Sequence, residues 1–193
     1  LPTESLAERF GALTIIVLGE VVVGVVNGIN AGERGPLVIA TALLALGVCF
    51  GFWWNYFDLL GRRPPRPAYR AFFPWILLHL PLTGVIAGAG AGMVGLIEHA
   101  DGEHTPAGPG WLLAGASAAL LVTVALLTTR LDYHDNLLTV LPQARRSLLI
   151  GALASVLVGV VMPAPWLLAL LLAAIHQAVW WYVFSQLARH TDM

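Results

Sequence analysis

Glu20 sits in the stretch TIIVLGEVVVGVV, residues 14–26, with no other charged residue within ten positions on either side. A carboxyl group in so apolar a run can bind a proton or a cation, because desolvation penalises its charged form unless something compensates. A charged residue at the centre of a membrane helix costs roughly 2.5–3.5 kcal/mol on the insertion scale. The surrounding Leu, Ile and Val residues each return roughly 0.3–0.6 kcal/mol, so the helix tolerates Glu20 without explaining it. Ionisable groups at such depth usually face a bundle interior or mark a pathway. His79 and His176 also lie within apolar runs, and carboxylate–imidazole chains are how proton relays are built. Asn55 and Asp58 follow one another at i,i+3 near the end of another apolar run. Together with Arg9 they complete a set of candidates for binding a proton, an ion or a substrate: Glu20, His79, His176, Asp58, Asn55 and Arg9.

At 100° per residue Arg9, Glu20 and Asn27 share one helical face. Arg9 and Glu20 are about 16 Å apart along the axis, too far for a direct pair. Asp58 and Arg9 are instead expected to form a charge network at the cytoplasmic side. Ser5 and Glu8 have the spacing of a capping box, with Ser5 as N-cap, which gives Glu8 a structural role. Gly84, Gly88 and Gly92 make successive small-xxx-small steps, the pattern that lets membrane helices pack closely. Glu98, Asp101 and Glu103 with His99 and His104 contain metal-ligand types but no recognised spacing, and read as a solvated loop.

Composition sets the frame for these groups. The 193 residues are 58% hydrophobic and 11% charged, against about 25% charged in soluble domains. Net charge is -1, so nothing points to a nucleic-acid partner. The single cysteine, Cys49, excludes an internal disulfide, and no cofactor or metal motif is present. The chain begins at Leu1, and we expect it to be part of a longer protein.

Six stretches are long enough to span a bilayer: Glu8–Ile29, Pro36–Leu60, Phe72–Ile97, Gly110–Thr129, Arg146–Met162 and Pro165–Leu187. The expected fold is an all-α polytopic bundle of six transmembrane helices forming one domain. Nine arginines fall at the ends and in the even-numbered loops and one, Arg34, in the odd-numbered loops. The positive-inside rule then puts both termini in the cytoplasm.

Glu8-Arg9-Phe10-Gly11, followed by an apolar run to Leu18-Gly19-Glu20, resembles the signature of the bacterial low-temperature-requirement A (LtrA) family. Trp54-Asn55-Tyr56-Phe57-Asp58 is similar to that family's W-x-YFD segment, and His79-Leu80-Pro81-Leu82 to its HLPL segment. The resemblance covers nearly all of this chain and the later half of a typical member, whose earlier half carries an ELFFDL-like segment. Members often have histidine where this chain has Ser5, which favours capping there. The resemblance implies a multi-pass protein of the bacterial plasma (inner) membrane, in a family named for growth in the cold rather than for a reaction.

The leading expectation is a transporter-like or channel-like protein, proton-coupled through Glu20, with His79 and His176 relaying or orienting. Its partners would be the lipid bilayer, a small solute or proton, and either a missing N-terminal half or further copies in a homo-oligomer. The alternatives are a membrane-embedded enzyme acting on a lipid or isoprenoid, and a structural or cold-response subunit without turnover.

Overall fold

The structure, a computed structural model, describes residues 4–31, 35–61, 63–133 and 140–191. Six helices account for most of them: α1 (Glu4–Ala31), α2 (Pro36–Leu60), α3 (Tyr69–Glu98), α4 (Ala107–Leu127), α5 (Leu141–Val161) and α6 (Pro165–Thr191). All six are long and apolar enough to cross a membrane. Helices dominate because hydrocarbon offers backbone N–H and C=O groups no partners except each other.

Several helices run beyond the apolar stretches that reveal them. α5 starts at Leu141 rather than Arg146, because Pro142 in its first turn is preset for a helix start. Arg145 and Arg146 therefore project from the helix itself. α1 starts at Glu4, so Ser5 lies within its first turn and not ahead of it, which removes Ser5 from the N-cap position. Pro74 and Pro81 both lie inside α3 without ending it.

Neighbouring helices close a ring in the order α1, α3, α4, α5, α6, α2 and back to α1, with α4 the most enclosed. Loop contacts define the two ends. Arg66 N donates to Arg130 O, which joins the α2–α3 and α4–α5 connections, and Thr105 N donates to Pro163 O, which joins the α3–α4 and α5–α6 connections. Successive helices therefore alternate in direction. Arg34 and Arg62, both used in the charge-bias argument, lie outside the described residues.

The arginines at the end shared by α2 and α4 also satisfy helix carbonyls. Arg63 Nη1 donates to Asp58 O at 2.7 Å and Leu59 O at 2.6 Å, which caps α2. Arg145 donates to the hydroxyl and carbonyl of Thr128, just past α4. Tyr133 O–H donates to Leu59 O at 2.9 Å, and the Arg63 guanidinium lies 5.3 Å from its ring centre. Burial pushes the Tyr133 hydroxyl up from 10.0 to about 12, opposed by the charges of Arg63 and Arg145. Folding thus favours the neutral phenol. This stabilisation is fully present below pH 10 and is lost as pH rises towards 12, a change of about 2–3 kcal/mol. Thermal denaturation in detergent across that window should show a steeper slope in the parent than in Tyr133→Phe. The variant should start about 1 kcal/mol lower for its lost hydrogen bond. Equal slopes would remove Tyr133 as the cause.

Without a hydrophobic drive between helices in lipid, close packing and interhelical hydrogen bonds hold a bundle together. A close approach joins α2 to α6, where a Cβ on Gly51 would lie 2.4 Å from His176 Cβ. A Cβ on Gly92 would meet Leu113 N at 2.8 Å, which brings α3 onto α4. A Cβ on Gly84 or Gly88 would meet no neighbouring helix within 4 Å among the described residues. Of the expected packing stripe of Gly84, Gly88 and Gly92, Gly92 is the member that meets a neighbouring helix among the described residues. α3 turns Gly92 and the neighbouring Gly95 towards α4, while Gly84 and Gly88 lie on its open side.

Candidate functional site

The three stretches that resemble the family meet in space. Phe10 comes from α1, Tyr56 from α2, and Trp75 and His79 from α3. The Phe10 ring lies 4.9 Å from Trp75 and 4.5 Å from His79 between centroids. Tyr56 Oη is 3.1 Å from His79 Nε2, and His79 Nδ1 is 2.8 Å from Trp75 O. A carbonyl can only accept, so Nδ1 carries the proton and donates to it. In the neutral ring Nε2 then accepts from the Tyr56 hydroxyl. Both ring nitrogens of His79 are used, and the residue is buried. The pair ties α2 to α3 in an interior where an unmade bond is costly.

Tyr56→Phe should leave Nε2 without its donor and destabilise the bundle by about 1–3 kcal/mol. Tyr56→Phe combined with His79→Phe should cost less than the two single losses added together. A strictly additive double-mutant cycle would show that the bond contributes nothing. Tyr56 and Phe10 received no role from sequence reasoning, although both stand inside the motif stretches. Their packing could not be read from spacing, because it joins three separate helices.

Asn55 and His176 form a second buried junction. Asn55 Nδ2 donates to Gly51 O at 2.8 Å and to His176 O at 3.1 Å. It binds α2 to α6 through backbone carbonyls. The His176 ring stands edge-on to Phe52, with 4.8 Å between centroids, and is 0% exposed. Neither of its nitrogens has a hydrogen-bond partner among the described residues. Asp58 accepts a hydrogen bond from the Trp180 indole. Among the described residues it makes no ion pair with Arg9, which is exposed on α1, so the expected Asp58–Arg9 network does not form. Trp54 stacks on Trp180, with centroids 4.9 Å apart. Aromatic residues near the ends of α2 and α6 therefore pack against each other.

Glu20 has different surroundings. It is exposed on α1 and lines a groove of about 220 Å³ between α1 and α3. Val17 and Gly24 flank it from α1, with Ala87, Gly90 and Ala91 opposite on α3. The small residues of α3 leave room beside the carboxyl group. Glu20 has no hydrogen-bond or ion-pair partner among the described residues. His79 and His176 do not line this groove. The three members of the expected relay thus stand in three separate surroundings, on α1, α3 and α6. Glu8 is exposed near Arg9 on the first turns of α1.

Six spanning helices and an intramembrane carboxyl group beside a small-residue groove define an all-helical, multi-pass membrane protein. The family model described as Bacterial low temperature requirement A protein (LtrA) matches residues 2–186, and the chain belongs to that family. Comparison with curated proteins and with solved structures gives no match.

Proposed function

We propose that this protein is a transporter-like or channel-like component of the bacterial inner membrane, coupled to protons through Glu20. The observation that carries the reading is the Glu20 carboxyl group, in the middle of a spanning helix and open to a groove of about 220 Å³. Its carboxyl oxygens are where a proton or a cation entering that groove would bind. Gly90 of α3 packs closely against Val21 of α1 beside the groove. His79 and His176 act in this reading as positioning residues that hold α2 against α3 and α6. The arginine-rich end faces the cytoplasm.

The test is proton flux in proteoliposomes under an imposed pH gradient, read by an entrapped pH-sensitive dye. Glu20→Gln should remove protein-dependent flux. Flux equal to the parent's would overturn the assignment. A structural subunit is the second reading, favoured by the small residues facing Glu20, which also suit helix docking. In that case no flux appears in either protein, and Glu20→Gln weakens assembly instead.

A further inference from the structure

A larger groove, of about 550 Å³, lies on the outside of the bundle between α5 and α6, away from Glu20. Its two walls are helical stripes. Arg146, Ile150 and Ala154 follow at i, i+4 and i+8 on α5, and Ala178 and Tyr182 at i and i+4 on α6. Gln143 joins Arg146 at the same end. The groove is therefore polar and cationic at one end and apolar along the rest. The polar end belongs to the first turns of α5, which starts at Leu141, where the positive end of the helix dipole adds to the arginine charge. Among the described residues no acidic side chain lines it.

Arg146 differs from Arg63, Arg66 and Arg145 at this end. Arg63, Arg66 and Arg145 each donate to a helix-end or loop acceptor. Arg146 is exposed, with no hydrogen-bond or ion-pair partner among the described residues. From Arg146 to Ala154 the helix rises about 12 Å, enough for a stretch of acyl chain. A further helix, about 10–12 Å across, would fill the groove in little more than one turn, so the volume suits a chain better.

We propose that the groove between α5 and α6 binds an anionic phospholipid. The headgroup phosphate lies at Arg146, Gln143 and Tyr182, and one acyl chain lies along Ile150, Ala154 and Ala178. Basic pockets between membrane helices at the interface hold such headgroups by charge and hydrogen bonding. The site shares no residue with the groove at Glu20, so either assignment can fail alone.

Native mass spectrometry of the full chain, released from detergent, tests it with three probes: phosphatidylglycerol, phosphatidylcholine of the same acyl chains, and glycerol 3-phosphate. Retention of phosphatidylglycerol should exceed that of phosphatidylcholine by about tenfold, and Arg146→Gln should remove that excess, as expected for losing a charge-assisted contact. Arg146→Lys should keep part of it. Ala178→Phe, on an exposed position, should lower retention of both lipids while leaving the lipid-free melting temperature unchanged, and it decides the matter if Arg146→Gln misfolds. Equal retention of the two lipids, or an Ala178→Phe variant that still retains both, would overturn the proposal. So would glycerol 3-phosphate binding as well as the lipid, or a dimer that occludes the groove.

Discussion

Glu20→Gln is expected to abolish protein-dependent proton flux while leaving the bundle at least as stable as the parent. The two effects separate because Glu20 holds nothing in place among the described residues. It is exposed on α1 beside a small-residue groove. A charged group at that depth costs roughly 2.5–3.5 kcal/mol, and glutamine avoids that charge while keeping nearly the same shape. Glu20→Leu should stabilise further and be equally inactive. Glu20→Asp keeps a carboxyl group on a shorter arm and should retain part of the flux. Flux measured across a series of imposed gradients, with thermal denaturation of each variant, separates the cases. Loss of flux together with a large loss of stability would mark Glu20 as a packing residue. Undiminished flux in Glu20→Gln would exclude it as the coupling group.

Gly51→Ala should be among the most damaging small substitutions in the chain. The added Cβ would lie 2.4 Å from His176 Cβ and 3.1 Å from its Cγ. A Cβ cannot swing aside as the tip of a long side chain can, so α2 and α6 must separate. Separation also lengthens the bond from Asn55 Nδ2 to His176 O, now 3.1 Å. Overpacking of this kind typically costs about 1–3 kcal/mol, and the weakened hydrogen bond adds about 1 more. Gly88→Ala is the matched control. Among the described residues no neighbouring helix comes within 4 Å of its would-be Cβ. It should be neutral, or stabilising by up to about 1 kcal/mol through helix propensity. Combining Gly51→Ala with His176→Gly should recover part of the loss, because the clashing atom is gone. Thermal denaturation in detergent reads all three. If Gly51→Ala melts with the parent, the close approach of α2 and α6 does not support the fold.

The contrast between these glycines shows where sequence reading stops. Gly84, Gly88 and Gly92 are equivalent by spacing, yet among the described residues only Gly92 meets a neighbouring helix. A small-xxx-small pattern marks a face on which helices can approach, but not which part is covered. That depends on where α4 crosses α3, and the crossing is set by Pro109 and Leu113 on the other helix. Gly51 and His176 lie 125 positions apart in the chain, and nothing local to either reports their contact. The same limit applies to the expected relay. Helical periodicity puts Arg9, Glu20 and Asn27 on one face of α1, but it cannot say what that face meets. His79 and His176 proved to be interior groups engaged with α2, one by hydrogen bonds and the other by packing.

What the sequence determined by itself was whatever depends on one segment at a time. Apolar length defines six spans, because a bilayer demands about 20 residues per crossing and closes the backbone into helices. The motif stretches around Glu20, Tyr56 and His79 were legible too, and the family followed from them. Tertiary structure alone decided which of these groups touch. It placed Phe10, Tyr56, Trp75 and His79 in one knot, left Glu20 open beside α3, and set Arg146 over an apolar groove. Helices in lipid are selected by shape and by hydrogen bonds between neighbours, and both are properties of pairs of segments, not of any one of them.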